Sequence, residues 1–196
     1  MNRALAIFVF VVAAFSFAVL PAMAFEAPII SLERVEVANI QPFYNVKPKM
    51  KTDKEAKEVG AGPMLNMAYV LDIKNPNKEP VMLDELSFTT AFDGFDVNTA
   101  NEYEHSWIPG GKTNQLKVIT TNETLGTMGN LMVGMDNVER MKKMKTNAPA
   151  LVQKWWTTVG DFSFPITVTA GTALFKDEKG KEVRSTFKGT WPKKGK

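Results

Sequence analysis

The chain contains no cysteine and a single histidine, His105. The first absence removes disulfides, thiolate metal sites, cysteine nucleophiles and a lipid-modified N-terminal cysteine together. The second leaves a zinc centre or a hydrolytic triad without partners, because each needs histidine set among further ligands or bases. Charge of one sign is also scarce. Lys and Arg number 24 against 21 Asp and Glu, a net +3 over 196 residues, too weak to imply a nucleic-acid partner. A phosphate-binding loop is missing as well. Pro109-Gly110-Gly111-Lys112-Thr113 has the end of one, but Ser106 stands where its first glycine belongs, and a strand pattern follows in place of a helix. The carboxylates Asp84-Glu85, Asp93 and Asp96 read as turn residues and lack the ligand spacing of a calcium loop. These absences describe a protein that is not an enzyme, with no cofactor, no metal and no nucleotide.

What is present is an ordinary globular composition, 44% apolar and 23% charged. One long hydrophobic run stands out. Arg3 precedes Ala4 to Leu20, Pro21 breaks the run, and Ala22-Met23-Ala24 places small residues at −3 and −1. That is the plan of a secretory signal at 1–24, cleaved after Ala24, and it predicts a periplasmic or secreted protein. A retained N-terminal anchor is the alternative. Removing the one Arg before Phe25 leaves the mature chain at +2.

From residue 25 the pattern is mostly period two. Ile29 to Ile40 reads as a first strand. Gln41 to Pro63 is a long polar connection with Pro42, Pro48 and Gly60-Ala61-Gly62. Leu65, Met67, Tyr69, Leu71 and Ile73 then share one face, and Asn75-Pro76-Asn77 ends that strand. Met82 to Phe92 alternates with a slip near Asp84-Glu85, and Asp93-Gly94 suits a tight hairpin. Phe95 restarts a strand running toward Trp107. Pro109-Gly110-Gly111 turns the chain into Leu116, Val118 and Thr120. Phe162 to Ala170 and Val183 to Trp191, joined by Asp177-Glu178-Lys179-Gly180, close the series. Seven short strands with turn signals between them predict a mainly β fold, an antiparallel β-sandwich.

The period changes once, over about 121–160. Leu125, Met128, Met132, Met135 and Val138 recur at three or four, with Asn122 as the expected N-cap. Asn147-Ala148-Pro149 opens a second helix to about Thr158. The spacing thus predicts a helical insertion before the last two strands.

Leu71-Asp72-Ile73-Lys74-Asn75-Pro76-Asn77, the Leu83, Leu86 and Phe88 pattern, the Asp93-Gly94 hairpin and Ile108-Pro109-Gly110-Gly111 before Leu116-Lys117-Val118 together resemble group-two late embryogenesis abundant proteins, the water-stress-and-hypersensitive-response (WHy) domain. The likeness runs from Ile29 to Trp191. It implies a single fibronectin-type-III-like domain over 25–196 and a non-catalytic stress-protective role in desiccation or cold. The insert and the 41–63 loop both look longer than the family's.

Candidate contact residues follow from the insert. Met128, Met132, Met135, Met141 and Met144 form a soft apolar stripe, suited to packing or to a partner groove more than to monovalent copper. Lys142 and Lys143, with Lys145 and Lys154, stand near Trp155 and Trp156, a combination that suits an anionic membrane surface. The expectation is an exported β-sandwich that binds or shields other proteins or membrane surfaces. The alternative is an envelope accessory or assembly module that holds one protein partner through the Met-rich helix and the 41–63 loop.

Overall fold

The computed structural model describes residues 25–43 and 62–193. The expected export signal at 1–24, residues 44–61 of the long connection and the last three residues of the basic tail lie outside the described residues.

The alternating runs become β1 (Ile29–Ile40), β2 (Met64–Lys74), β3 (Val81–Phe92), β4 (Phe95–Glu102), β5 (Ser106–Ile108), β6 (Thr113–Glu123), β7 (Ile166–Lys176) and β8 (Glu182–Trp191). Every pairing is antiparallel. One sheet has the order β1-β2-β6; the other runs β4-β3-β7-β8, with β5 also on β3. The result is a fibronectin-type-III-like β-sandwich with helices between β6 and β7. Leu65, Met67, Tyr69, Leu71 and Ile73 all face inward, as their spacing predicts. Across the core Tyr69 meets Phe88 edge-on at 5.4 Å, and Phe88 meets Phe187 at 6.0 Å. Along one side the sheets close on each other where β8 passes β1. A Cβ on Gly189 would lie 2.5 Å from that of Leu32, so only a glycine lets the two strands approach this far.

Two expectations about the strands need correction. There are eight described strands, because the run from Phe95 toward Trp107 is two. Glu102 Oε1 accepts the amides of Tyr103 and Glu104, and the ladder stops there. β5 then rejoins β3 three residues further along it. Asp84 and Glu85 lie within β3, not at a turn; the slip expected there is a register shift against β7 between Leu83 and Glu85. The hairpin at Asp93-Gly94 is as predicted. Both residues have positive φ, 51° and 80°, and join Phe92 directly to Phe95.

Ion pairs lie on the outer faces. Asp84 receives Lys176 Nζ at 2.7 Å and His105 Nε2 at 3.1 Å, and Lys176 also reaches Glu182. The hydrogen bond from Lys176, ahead of its charge, holds the Asp84 carboxyl below its ordinary value of 3.8. A carboxylate lowered on folding stabilises the fold above its unfolded value and ceases to do so as pH falls through the folded one. Urea unfolding between pH 5 and pH 2 is therefore expected to show a fall in stability below about 3.8 that is smaller in Asp84→Asn. A variant curve parallel to the wild type throughout would refute the pairing.

Candidate functional site

The insert consists of α1 (Thr124–Val133), α2 (Met135–Lys143) and α3 (Ala148–Thr158), followed by a 3-10 turn at Val159–Asp161. Asn122 is not the cap of α1. It still pairs with Leu65 in the ladder, is buried, and donates Nδ2 to the Leu65 carbonyl; Glu123 takes the cap position without a side-chain bond. The second start is as expected: Asn147 Oδ1 accepts the Ala150 amide at 2.9 Å, with Pro149 in the first turn.

α3 is fastened to the β3–β4 hairpin. Asp93 Oδ2 accepts from Lys154 Nζ at 2.7 Å and from Trp155 Nε1 at 3.0 Å. Arg140 of α2 donates to the Gly94 carbonyl and lies over the Phe95 ring at 5.2 Å. Beneath them Trp155 packs on Phe92, Phe95 and Phe164, with ring centroids 5.6 to 6.3 Å apart. Asn130 of α1 donates to the Val97 carbonyl. The helices thus form a lid on one end of the sandwich, held by a ring cluster and by polar contacts to a turn.

This packing corrects the surface assignment of Trp155 and Trp156. Both are buried, Trp155 fully, at 0% exposure. Of the lysines grouped with them, Lys154 is committed to Asp93 beside Trp155, Lys142 and Lys143 are on α2, and Lys145 is in the turn after it. The Met stripe is corrected too. Gly134 is extended, with φ −76° and ψ 114°, and separates α1 from α2. A single helical face therefore does not run through it. Met128 is half-buried against the core and Met141 is buried, whereas Met132 (62%) and Met135 (83%) face outward with Val133 (85%) between them. Lys142 and Lys143 are exposed on α2, followed by exposed Met144 and Lys145. Among the predicted residues the structure leaves Met132, Met135, Lys142 and Lys143 exposed on the outside of the insert. Val133 is added to them, a residue the period-of-four argument passed over.

Burial pushes the Tyr69 phenol well above its ordinary value, so it stays a neutral core aromatic. Among the described residues no group of three His, Cys, Asp or Glu could hold a metal, and no helix is long and apolar enough to cross a membrane.

No family model matches this chain, and no curated protein does. Solved structures match in part. A crystal structure of a protein from Archaeoglobus fulgidus is 12% identical, covering 80% of this chain and 98% of its own, with a TM-score of 0.37. An X-ray structure of a structural-genomics target is also 12% identical, covering 84% and 87%, with a TM-score of 0.43. Likenesses at this level carry neither family nor function.

At the opposite end, roughly 35 Å away along β3, the Asn75-Pro76-Asn77 break proves to be more than a stop. Asn75 is fully buried; its Nδ2 donates to the carbonyls of Glu79 and Ile108, and its Oδ1 accepts the backbone and side-chain N–H of Asn77. Asn77 in turn pairs with both backbone groups of Glu26. Asparagine spacing alone gives a turn; which distant carbonyls it gathers depends on how the loops converge.

Proposed function

We infer that this is an exported, non-catalytic binding protein whose contact surface is the outer tip of the helical insert, and that the surface it meets is an anionic membrane face. The observation that carries this is the exposed group Met132, Val133 and Met135, three apolar side chains presented to water at the α1–α2 corner. Lys142 and Lys143 stand in the last turn of α2, the helix that Met135 opens, and Lys145 in the turn after it. Apolar side chains at such a corner gain by entering the headgroup boundary, and nearby lysines add about 1 kcal/mol each against anionic lipid. The lid's attachment through Asp93, Gly94 and Trp155 supports a preformed surface, which loses little entropy on docking. In the sense of the WHy resemblance, the role would be protection of membranes and proteins in desiccation or cold.

Flotation with vesicles tests it. Binding to phosphatidylglycerol vesicles is expected, and little to phosphatidylcholine. Met135→Asp, or Lys142→Glu with Lys143→Glu, is expected to lower binding about tenfold. Equal flotation on neutral lipid, or no change in either variant, would end the membrane assignment. The exposed methionines also favour a second reading, an envelope accessory or assembly module with a protein partner, since thioether side chains adapt to a partner's groove. A stoichiometric partner retained from envelope extract by the wild type and lost in Met135→Asp, without lipid binding, would favour it. The protective role has its own assay: added protein should preserve a labile enzyme through freeze–thaw.

A further inference from the structure

Two concavities at the end of the sandwich away from the insert share a wall. One, about 440 Å3, lies between Phe25 and Glu26, the β2–β3 connection, and the β7–β8 hairpin. The other, about 280 Å3, lies between Pro80, Trp107, Pro109 and Glu178. Pro80 and Glu178 line both, so the two form one trough. Its lining runs from Phe25 and Glu26 past Pro80 and Glu178 to Trp107 and Pro109, an open surface that suits a short run of extended chain more than a compact small molecule.

The sign of its walls is opposite to that of the protein. Glu26, Glu79, Asp177 and Glu178 line it against Lys78 and Lys179, two acids in excess within a chain of net +3. Asp177 is occupied, since its Oδ1 accepts the amides of Lys179 and Lys181 and shapes the hairpin. Glu26, Glu79 and Glu178 are exposed. Trp107 is 49% exposed, while Trp155 and Trp156 are in the core. It is held in β5 opposite Met82, and its carbonyl accepts Asn114 Nδ2. A half-exposed indole lining the same concavity as Pro80 and Pro109 is an apolar platform whose π face attracts a cation.

The walls are preformed. Glu26 is tied to Asn77 through both its backbone groups, and Asn75 joins the carbonyls of Glu79 and Ile108. Gly110 lies so close to the Lys78 carbonyl that a Cβ there would come within 1.8 Å of it. Three connections distant in sequence are thereby held as one surface.

We propose that this trough binds an extended cationic peptide segment, with arginines paired to the glutamates and one side chain stacked on Trp107. Guanidinium suits both contacts, since it binds carboxylates through two parallel hydrogen bonds and stacks on indole. An anionic ligand is repelled by the walls, and a neutral apolar one leaves the glutamates unused. With the basic insert at the far end, the two ends of the sandwich take ligands of opposite charge.

Labelled hexa-arginine, followed by fluorescence anisotropy on the full chain, is the probe. Saturable binding that weakens with added salt is expected. Trp107→Ala and Glu178→Lys should each weaken it about tenfold, and Lys142→Glu with Lys143→Glu should leave it within about twofold, the sites being far apart. Glu178 lies in an exposed hairpin turn, so its variant keeps the fold and stays informative if Trp107→Ala is poorly folded. No saturation at millimolar peptide, equal affinity in Glu178→Lys, or hexa-glutamate binding as tightly as hexa-arginine would each overturn the assignment. Loss of vesicle binding with the trough intact would overturn the insert's role and leave this one standing.

Discussion

Trp155→Ala is expected to lower the unfolding free energy by about 4 kcal/mol, the middle of the range for emptying a core position of a large aromatic side chain. Trp155 is fully buried and touches three other rings. Its Nε1 also supplies one of two hydrogen bonds to Asp93 Oδ2. The substitution thus opens a cavity, removes ring contacts and leaves Asp93 with Lys154 alone. Against a typical total of 5–15 kcal/mol that is a large share, so urea unfolding should show an early midpoint. Limited proteolysis should then cut first between α2 and α3, where the lid would come away from the hairpin. A loss under about 1 kcal/mol, the scale of an ordinary surface substitution, would mean that the insert is not packed on the sandwich in this way.

Asn75→Ala should cost about 3 kcal/mol, since a buried group removed from its partners leaves them unsatisfied. Four hydrogen bonds end on that one side chain, and two of its partners are carbonyls, of Glu79 and Ile108. Asn75→Asp is the sharper variant. It keeps the size and the acceptor toward Asn77 but replaces the amide donors with a carboxylate oxygen facing two carbonyls. It should destabilise at least as much as alanine at neutral pH and recover somewhat in acid, when the carboxyl can donate again. Equal midpoints for wild type and both variants by urea unfolding would show that the asparagine is not the hub.

The sandwich was legible because its strands obey a local rule. In β2 every second residue is core, and the punctuation at Asn75-Pro76 and Asp93-Gly94 falls where the chain turns. β5 was not legible, since three residues are too few to show a period, and its pairing depends on where β3 slips. Trp155-Trp156 was misread by adjacency to lysines although the better signal was present. Leu151, Val152, Trp155, Trp156 and Val159 recur at helical spacing and are all buried. The Met stripe failed for a related reason. Spacing of three and four assumes an unbroken helix, and Gly134 breaks it, so the residues beyond it turn to a different face. The trough could not be read at all. Phe25, Pro80, Trp107 and Glu178 belong to separate segments, and only the antiparallel order of the sheet brings them to one end.

The absence of native cysteine allows the insert's role to be read at single positions. Met135→Cys, labelled with an environment-sensitive fluorophore, should shift its emission to the blue when phosphatidylglycerol vesicles are added, while the same label at Lys179→Cys, at the far end, should not respond. A label at 135 that stays in a water-like environment on bound vesicles, or equal shifts at both positions, would show that the protein does not meet the membrane through its insert.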